Sequence, residues 1–288
     1  MPKQLKLVHL VTILCLLIFA ISTHGIALEK DGLLKIHFLD VGQGDAIFIE
    51  SPNGNQVLID GGPDNKVLTK LSQVMPFFDK TIDLVLLTHA HADHVAGLVG
   101  VLERYDIENI VMTNSLYDSG QFRSWLDGVS NEGAKIAEAL AGRKIDLGNG
   151  VELIILYPFI PQDESKPKDP NEISVVAMLK YKDFEVLLTG DLEQKQEEEI
   201  LRNNLNINSD VLKIGHHGSK TSTSGNFLKA ISPEVAAISV GLKNRYGHPS
   251  PLVIDRLESS DVKYYLTSTK GDIKIISDGS YFKIITQK

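Results

Sequence analysis

Cysteine is nearly absent from this chain of 288 residues, and positive charge is in short supply. The one cysteine, Cys15, excludes an intrachain disulfide and a thiolate metal cluster. Acidic residues number 37 against 29 basic ones, which gives a formal net charge of −8. This balance argues against a broad basic surface for non-specific nucleic-acid binding, although it leaves a local cationic groove open. Internal repeats and low-complexity tracts are also missing from the sequence.

What remains is the composition of a folded globular chain. Hydrophobic residues make up 43% and charged residues 23%, values that exclude disorder, collagen and coiled coil. The length allows one large domain or two small ones. A charged stretch with four prolines at 157–172 lies between predicted strands of one sheet system, so it indicates a surface loop rather than a domain linker. We therefore expect a single domain over residues 33–286.

The N-terminus has the pattern of an export signal. Two lysines precede an apolar run at 7–21, and small and polar residues follow it. We predict a secretory signal peptide over residues 1–27 that is cut after Ala27, with a second small-x-small site ending at Ser22. The run is shorter than the ~20 residues of a membrane span, and an uncleaved signal anchor is the alternative. The protein is expected to be secreted or extracytoplasmic, with membrane association through residues 7–21 if the leader is retained.

Short β-rich runs and helical patterns alternate along the rest of the chain, which predicts an α/β fold. Ile82–Leu87 is apolar except for Asp83, and its continuous apolar part Leu84–Leu87 is typical of a strand buried on both faces. The other predicted strands are Leu33–Leu39, Ala46–Glu50, Gln56–Ile59, Ile107–Met112, Val151–Tyr157, Val175–Tyr181, Phe184–Leu188, Val211–Ile214, Val235–Ser239, Tyr264–Thr267, Asp272–Ser277 and Tyr281–Thr286. The predicted helices are Asp93–Arg104, an interrupted stretch at Ser119–Leu140, Glu193–Arg202, Gly225–Ile231 and Pro251–Ser259.

Three histidines and an aspartate follow the predicted strand Ile82–Leu87 in the pattern His-x-His-x-Asp-His, from His89 to His94. So many polar groups do not fit a turn inside the core. The small residues Ala90 and Ala92 let the backbone curl, so that the polar side chains can converge. Imidazole nitrogen and carboxylate oxygen are ligands for divalent zinc, manganese or iron. The segment therefore predicts a metal site.

The spacing of these ligands suits two neighbouring metal ions. His89 and His91, one residue apart, can bind one ion, whereas Asp93 and His94 point elsewhere and suit a second. Asp191 follows another apolar strand and is expected to bridge the two ions. Its alternative role is to cap the helix predicted after it.

A third strand-end loop contributes two further imidazoles, His216 and His217. One of the two is expected to complete the ligand set of the second ion, and we favour His216 as that ligand. The other would donate to a nearby acceptor or contact substrate. The predicted metal ligands are thus His89, His91, Asp93, His94, Asp191 and His216.

Together these segments resemble the metallo-β-lactamase superfamily, and more narrowly the extracytoplasmic hydrolase domain of the competence protein ComEC. The resemblance covers about residues 33–286. It implies a four-layer αββα sandwich, in which two β-sheets pack face to face and helices cover the outsides. The His-x-His-x-Asp-His cluster is specific to the superfamily, and the segments Asp40–Ala46 and His216–Ser219 point to the ComEC branch. In chain order the motifs are Asp40–Ala46, Asp60-Gly61-Gly62, His89–His94, Thr189-Gly190-Asp191, His216–Ser219 and Tyr246–Pro249.

One departure from the superfamily pattern affects the first metal site. The superfamily usually supplies another histidine before the bridging aspartate, but this sequence has no histidine from Val95 to Gly215. Asn171 stands where similar ComEC-type sequences place asparagine. Fewer imidazoles should weaken binding of the ion and make manganese as acceptable as zinc. We expect one or two divalent ions, Zn²⁺ or Mn²⁺.

The chemistry implied by such a site is hydrolysis by a metal-activated water. Asp93 would orient the attacking hydroxide, while His248 would protonate the leaving group or bind a phosphate oxygen. His248 could also be a surface histidine in a proline-containing turn. Asp60 is expected to hydrogen-bond a ligand histidine or shape its loop. The residues expected to contact substrate are Asp45, Asn171, His217, Ser219 and Lys220. For Ser219 and Lys220 the alternative is a helix-capping segment.

Three function classes follow. The first is an exported metal-dependent phosphodiesterase, in particular a nuclease acting on DNA, because the branch that the chain resembles handles DNA outside the membrane. The second is hydrolysis of another ester or amide, such as a phosphorylcholine ester, a lactone or a β-lactam. The missing histidine makes the β-lactam the least favoured of these. The third is a non-catalytic metal-binding module of a DNA-uptake system. No obligate protein partner is expected.

Overall fold

Two mixed β-sheets form the centre of the molecule. The structure is a computed structural model that describes residues 32–162 and 167–288. The strands of the first sheet are β1 (Leu34–Phe38), β2 (Ile47–Glu50), β3 (Gln56–Ile59), β4 (Thr81–Leu86), β5 (Asp106–Met112), β6 (Lys135–Glu138), β14 (Ile273–Ser277) and β15 (Phe282–Thr286). Their order across the sheet is β15-β14-β1-β2-β3-β4-β5-β6. Pairing is antiparallel from β15 to β3 and parallel from β3 to β6.

The second sheet repeats this division into an antiparallel and a parallel half. Its strands are β7 (Lys144–Asp146), β8 (Val151–Tyr157), β9 (Val176–Tyr181), β10 (Phe184–Leu188), β11 (Val211–Lys213), β12 (Val235–Ile238) and β13 (Lys263–Leu266). Their order is β13-β12-β11-β10-β9-β8-β7. Pairing is antiparallel from β7 to β10 and parallel from β10 to β13.

The α-helices are α1 (Lys66–Val74), α2 (Ala92–Leu102), α3 (Gly120–Glu132), α4 (Gln194–Arg202), α5 (Gly225–Ile231), α6 (Pro251–Ser259) and α7 (Thr267–Lys270). Local signals set several of their starts. The Ser119 hydroxyl accepts a hydrogen bond from the amide of Phe122 at the start of α3, and Ser224 does the same for Phe227 in α5. Pro251 opens α6, where its missing N–H costs nothing.

Apolar side chains divide the molecule into layers. One cluster joins the facing sides of the two sheets, with members such as Ile36 and Val186. A second packs α1, α2 and α3 on the outside of the first sheet, and a third packs α4, α5 and α6 on the outside of the second sheet. Residues Leu33–Lys288 form one compact unit. The layering confirms the predicted α/β fold and its four-layer αββα sandwich.

Helix α7 was not predicted, and three further elements differ from the sequence prediction. The helix predicted over Ser119–Leu140 ends at Glu132, because Gly133 takes a left-handed conformation (φ +75°) and the chain continues as strand β6. Helix α1 was not predicted, although Val67, Leu68 and Leu71 give it a buried face. Strand β7 was not predicted either, because it is three residues long and largely exposed, which is too short for an alternation of apolar and polar residues to be recognised.

The predicted leader at residues 1–27 lies outside the described residues. Within the described part of the chain, no helix has the length and apolar character needed to cross a lipid bilayer.

Helix α2 lies against the loop after β3 with no space for a side chain between them. A Cβ atom on Gly97 would sit 1.9 Å from the carbonyl oxygen of Gly61 and 2.6 Å from that of Asp64. The amide of Gly97 donates instead to the Gly62 carbonyl at 3.0 Å. This contact fixes the position of the α2 N-terminus, and with it Asp93 and His94.

Replacing Gly97 by alanine should therefore lower the free energy of unfolding by about 2 kcal/mol or more, because backbone atoms on both sides must move. Urea unfolding followed by circular dichroism measures the change. Gly225→Ala is the matched control, since its Cβ would meet nothing within 4 Å at the start of α5. The control should be neutral or stabilising by under about 1 kcal/mol. Equal stability of the two variants would contradict the close approach.

Candidate metal centre

The polar residues singled out by the sequence meet where the parallel strands end. Strand β3 leads into Asp60, β4 into the His89–His94 segment, β10 into Asp191, and β11 into His216 and His217. Parallel strands of both sheets thus deliver their carboxyl-terminal loops to the same edge, where α/β proteins commonly place sites.

Asp191 is the centre of the cluster, and its side chain is almost completely buried. Its Oδ2 atom lies 3.3 Å from Nε2 of His94 and 3.4 Å from Nε2 of His217. The Nε2 atoms of His216 and His89 are farther away, at 3.9 and 4.0 Å. Four imidazoles from two loops therefore surround one carboxylate oxygen. The Asp191 amide is held by the Ser174 hydroxyl at 2.9 Å.

Hydrogen bonds at the far side of each ring orient three of these imidazoles. Nδ1 of His94 lies 2.7 Å from Oδ2 of Asp60, and Nδ1 of His217 lies 2.9 Å from the Ser239 carbonyl oxygen. Thr88 donates its hydroxyl proton to Asp60, so it can only accept from Nδ1 of His89, which is 3.0 Å away. The remaining Nε2 atoms face the centre, as metal-ligating histidines do.

The buried atoms at the centre fit a divalent cation. Among the described residues, Nε2 of His94, Nε2 of His217 and Oδ1 of Asp191 are buried without a hydrogen-bond partner. Leaving such atoms unpaired is costly, and a cation coordinated by them would remove the cost. Ligand atoms of His89, His94 and Asp191 lie within 4.8 Å of one another, as do those of Asp93, His94 and His217. These two groups share His94 and lie side by side.

The charges in this cluster shift its pKa values in opposite directions. Burial opposes a charged His94, but Asp191 and Asp60 outweigh burial and raise the pKa of His94 well above its usual value. His217 behaves in the same way through Asp191 and Asp45. Burial would raise the pKa of Asp191, yet His217 and His94 hold it well below its usual range. Protonated imidazoles and a bound cation are therefore alternative sources of positive charge beside Asp191.

Lys213 is a buried member of this charged cluster that the sequence analysis missed. Its side chain is fully buried in β11, with Nζ 2.5 Å from Oδ2 of Asp45 and 4.0 Å from Oδ1 of Asp191. It also donates to the Gly190 carbonyl at 3.0 Å. A lone lysine in the otherwise apolar run Val211–Ile214 was the available signal. Its ammonium group compensates buried carboxylates beneath the cluster.

His216 and His217 occupy different positions. The His217 side chain is 1% exposed, and its Nε2 lies 3.4 Å from both Asp93 Oδ2 and Asp191 Oδ2. The His216 side chain is 24% exposed and contacts Glu193 at 3.3 Å and the Asn171 amide at 3.4 Å. Both residues have a left-handed backbone conformation, with φ 47° at His216 and 53° at His217, and this turns the chain sharply between them. The geometry favours His217, rather than the His216 that the sequence analysis preferred, for the second ion.

The other predicted residues lie at the rim or beneath the centre. Nδ1 of His91 is 3.1 Å from Nε2 of His89, on the exposed side. Asp45 is 1% exposed and paired with Lys213, so it lies beneath the centre rather than against a substrate. Ser219 and Lys220 are outside the lining of the cleft described next.

An open cleft of about 340 Å³ lies over the cluster. Besides the metal-centre residues it is lined by Gln43, Tyr117, Tyr246 and His248. Burial and the neighbouring His216 lower the pKa of His248 to about 4, so this ring is neutral at pH 7 in the metal-free protein. A neutral imidazole still has one N–H to donate.

The sequence matches the family described as "Metallo-beta-lactamase superfamily" over residues 39–241. It is similar to ComE operon protein 3 of Bacillus subtilis (strain 168), with 29% identity over 279 residues that cover 91% of this chain and 35% of that protein. Competence protein ComA of Neisseria gonorrhoeae is 30% identical over 240 residues, which cover 82% of this chain and 31% of that protein. The chain spans about a third of the length of these curated relatives.

Two solved structures share the fold. The metallo-beta-lactamase fold protein YhfI from Bacillus subtilis superposes with a TM-score of 0.54 at 11% identity, covering 87% of this chain and 99% of that one. CmlA, a diiron beta-hydroxylase from Streptomyces venezuelae, gives a TM-score of 0.53 at 14% identity, covering 80% and 52%. At such low identity these similarities describe the fold and not the reaction.

The buried lysine gives a prediction about stability and metal. Lys213→Met should lower the free energy of unfolding by about 3–5 kcal/mol without metal, because it leaves buried carboxylates without their cation. Added Mn²⁺ should recover part of this loss by placing positive charge beside the same carboxylates. Chemical unfolding with Mn²⁺ and with chelator measures both effects.

Lys180→Met is the control for this experiment, since Lys180 pairs with Glu185 at a partly exposed position. That variant should lose under about 1 kcal/mol, with no dependence on metal. A loss at Lys213 that is equal with and without metal would show that Lys213 takes no part in the charge balance of the centre.

Proposed function

This chain belongs to the metallo-β-lactamase superfamily, and on that premise we propose that it is an exported, metal-dependent phosphodiesterase that cleaves DNA. The proposal is carried by one observation, the convergence of buried, unpartnered Nε2 atoms of His94 and His217 on Asp191 beneath an open cleft. Export is part of the proposal and depends on the predicted leader at residues 1–27.

We propose ligands for two ions, taking the first set from the sequence motif and the second from the geometry. His89, His91 and Asp191 would hold the first ion, whose incomplete imidazole set suits Mn²⁺ as well as Zn²⁺. Asp93, His94, His217 and Asp191 would hold the second. When bound, such an ion pair supplies a water of lowered pKa and positive charge for the attacked phosphoryl centre. Asp60 and Thr88 keep the rings of His94 and His89 turned toward the centre.

The cleft supports a phosphodiester rather than an apolar substrate. Its rim offers N–H and O–H donors from His248, Tyr117 and Tyr246, and such donors suit anionic oxygens. Two relatives carry the words competence or ComE in their names, and we take DNA as the substrate from that likeness. Asp93 would orient the attacking oxygen, because its carboxylate reaches both the His217 ring and the cleft. His248 would donate its N–H to a phosphate oxygen.

Purified protein should hydrolyse bis-p-nitrophenyl phosphate and labelled DNA with Mn²⁺ or Zn²⁺, and lose this activity with chelator. Asp191→Asn should lower kcat/KM at least about a hundredfold, because it weakens the binding of both ions. His248→Ala should cost on the order of tenfold, the value of one hydrogen bond to a charged oxygen. Lys220→Ala is the control, since Lys220 is exposed and outside the cleft lining.

Nitrocefin hydrolysis without phosphodiester cleavage would replace this assignment with a β-lactamase. Loss of activity at Lys220 with none at Asp191 would show that the centre is elsewhere. Metal binding without turnover of any of these substrates would favour a binding module.

The choice between His216 and His217 can be tested by metal content alone. His217→Ala should lose about one equivalent of metal per chain relative to the unaltered protein, whereas His216→Ala should keep it, because only His217 lies against both Asp93 and Asp191. Elemental analysis after gel filtration, with circular dichroism to verify folding, measures this. The reverse result would assign the second ion to His216.

A further inference from the structure

The loop after strand β12 forms one wall of the cleft and carries exposed groups that the metal chemistry does not use. It runs from Gly241 to Ser250 and includes Lys243, Arg245 and Tyr246. Tyr246 is 55% exposed, a large fraction for an aromatic side chain, and its ring faces the same cleft as Asp191. An exposed aromatic group beside a catalytic centre is a candidate contact for substrate.

The Asn244 side chain joins both ends of the loop through four hydrogen bonds. Asn244 donates from Nδ2 to the carbonyl oxygens of Gly241 (2.9 Å) and His248 (2.7 Å). Its Oδ1 accepts from the amides of Tyr246 (3.2 Å) and His248 (2.9 Å). The loop is also fixed to the first sheet, since the amide of Gly241 donates to the side-chain oxygen of Gln43 at 3.1 Å. These hydrogen bonds constrain the backbone that carries Tyr246.

Tyr246 has the geometry of a stacking platform. One neighbour is His248, whose ring is nearly parallel to it at 24° and 5.7 Å between centroids. The Arg245 guanidinium lies 5.1 Å from the Tyr246 centroid and donates to its hydroxyl at 3.0 Å. The platform thus combines an aromatic face with a cation. Lys243 adds a second exposed positive charge in the same loop.

A second aromatic ring reaches the cleft from the other sheet. Tyr117 lies in the loop after β5 and packs edge-on against His91 at 5.8 Å between centroids. Tyr117 and Tyr246 both line the cleft that contains Asp191. A polynucleotide has planar bases joined through phosphates. Its bases could stack on these two rings while one of its phosphates lies at the candidate metal centre.

We propose that the Lys243–His248 loop binds single-stranded DNA, with an unpaired base stacked on Tyr246 and backbone phosphates against Arg245 and Lys243. This inference rests on the proposed phosphodiesterase function and specifies that its DNA substrate is single-stranded. Base stacking on an aromatic ring requires an exposed base face, which single strands offer and the interior of a duplex does not. Cations beside the ring hold phosphates without reading sequence.

The test measures binding separately from cleavage. Fluorescence anisotropy with a labelled phosphorothioate oligothymidylate and with a matched duplex gives dissociation constants for the full chain with Mn²⁺. Tyr246→Ala should weaken single-strand binding about tenfold or more, the usual cost of one lost base stack. Tyr246→Phe, which keeps the ring, should stay within about threefold of the unaltered protein. Duplex binding should change little in either variant.

Tyr281→Ala is the matched control, because Tyr281 is 80% exposed in the turn between β14 and β15, outside the cleft lining. It should leave single-strand binding unchanged. Joint replacement of Lys243 and Arg245 by alanine should reduce the slope of log affinity against log salt by about one to two, one unit per lost phosphate contact.

Equal weakening by Tyr246→Ala and Tyr281→Ala, an unchanged salt slope, or tighter binding of duplex than of single strand would overturn this inference. So would an absence of DNA binding by the unaltered protein. The two proposals fail separately. If the protein binds single strands through Tyr246 but cleaves no phosphodiester, only the proposed function fails. If it cleaves DNA with Tyr246 making no difference, only the inference about the loop fails.

Discussion

The burial of one carboxylate, that of Asp191, is the constraint on which the rest of the site depends. An ionised carboxylate out of water is tolerable only with opposite charge beside it. Here two imidazoles within 3.4 Å and the buried ammonium of Lys213 supply that charge. The raised pKa values of His94 and His217 follow from this arrangement. Protons and a metal ion are then alternative sources of the same positive charge, so binding of metal should release protons.

The fold makes this burial possible by bringing strand ends together from two sheets. Asp60 and the His89–His94 segment come from the first sheet, whereas Asp191 and His217 come from the second. The pieces meet because the sheets pack through one apolar layer. Where side chains would separate the loops, glycines stand instead. A Cβ on Gly44 would lie 2.2 Å from the Asp93 carbonyl, and Gly97 meets Gly61 in the same way. These glycines allow the close backbone approaches that bring Asp93 and His94 to the centre.

Apolar runs and turn residues predicted most strand positions because they are local signals, whereas the four layers were expected only from the family resemblance. The sequence also predicted that these polar side chains would cluster, since His89, His94 and Asp93 are close in the chain and Asp191 follows a strand. The sequence analysis preferred His216 to His217, because no local signal shows that two left-handed residues in succession decide which ring turns inward. Lys213 was missed for a related reason. A lysine in a short strand has no local feature to show that Asp45, 168 positions earlier in the printed sequence, will lie 2.5 Å from it.

The acidic balance of the chain bears on how it could hold a polyanion. With a formal charge of −8, long-range attraction to DNA is absent, so contact has to depend on groups within a Debye length of the cleft. The centre itself offers little attraction without metal, because its cations are already paired with buried carboxylates. A bound cation changes this balance by adding charge directly beneath the cleft. In the proposed complex, the Lys243–His248 loop would add a second contact whose aromatic part is insensitive to salt. Metal and platform together would let an acidic protein select a flexible single strand over other polyanions, since few of those present unpaired bases.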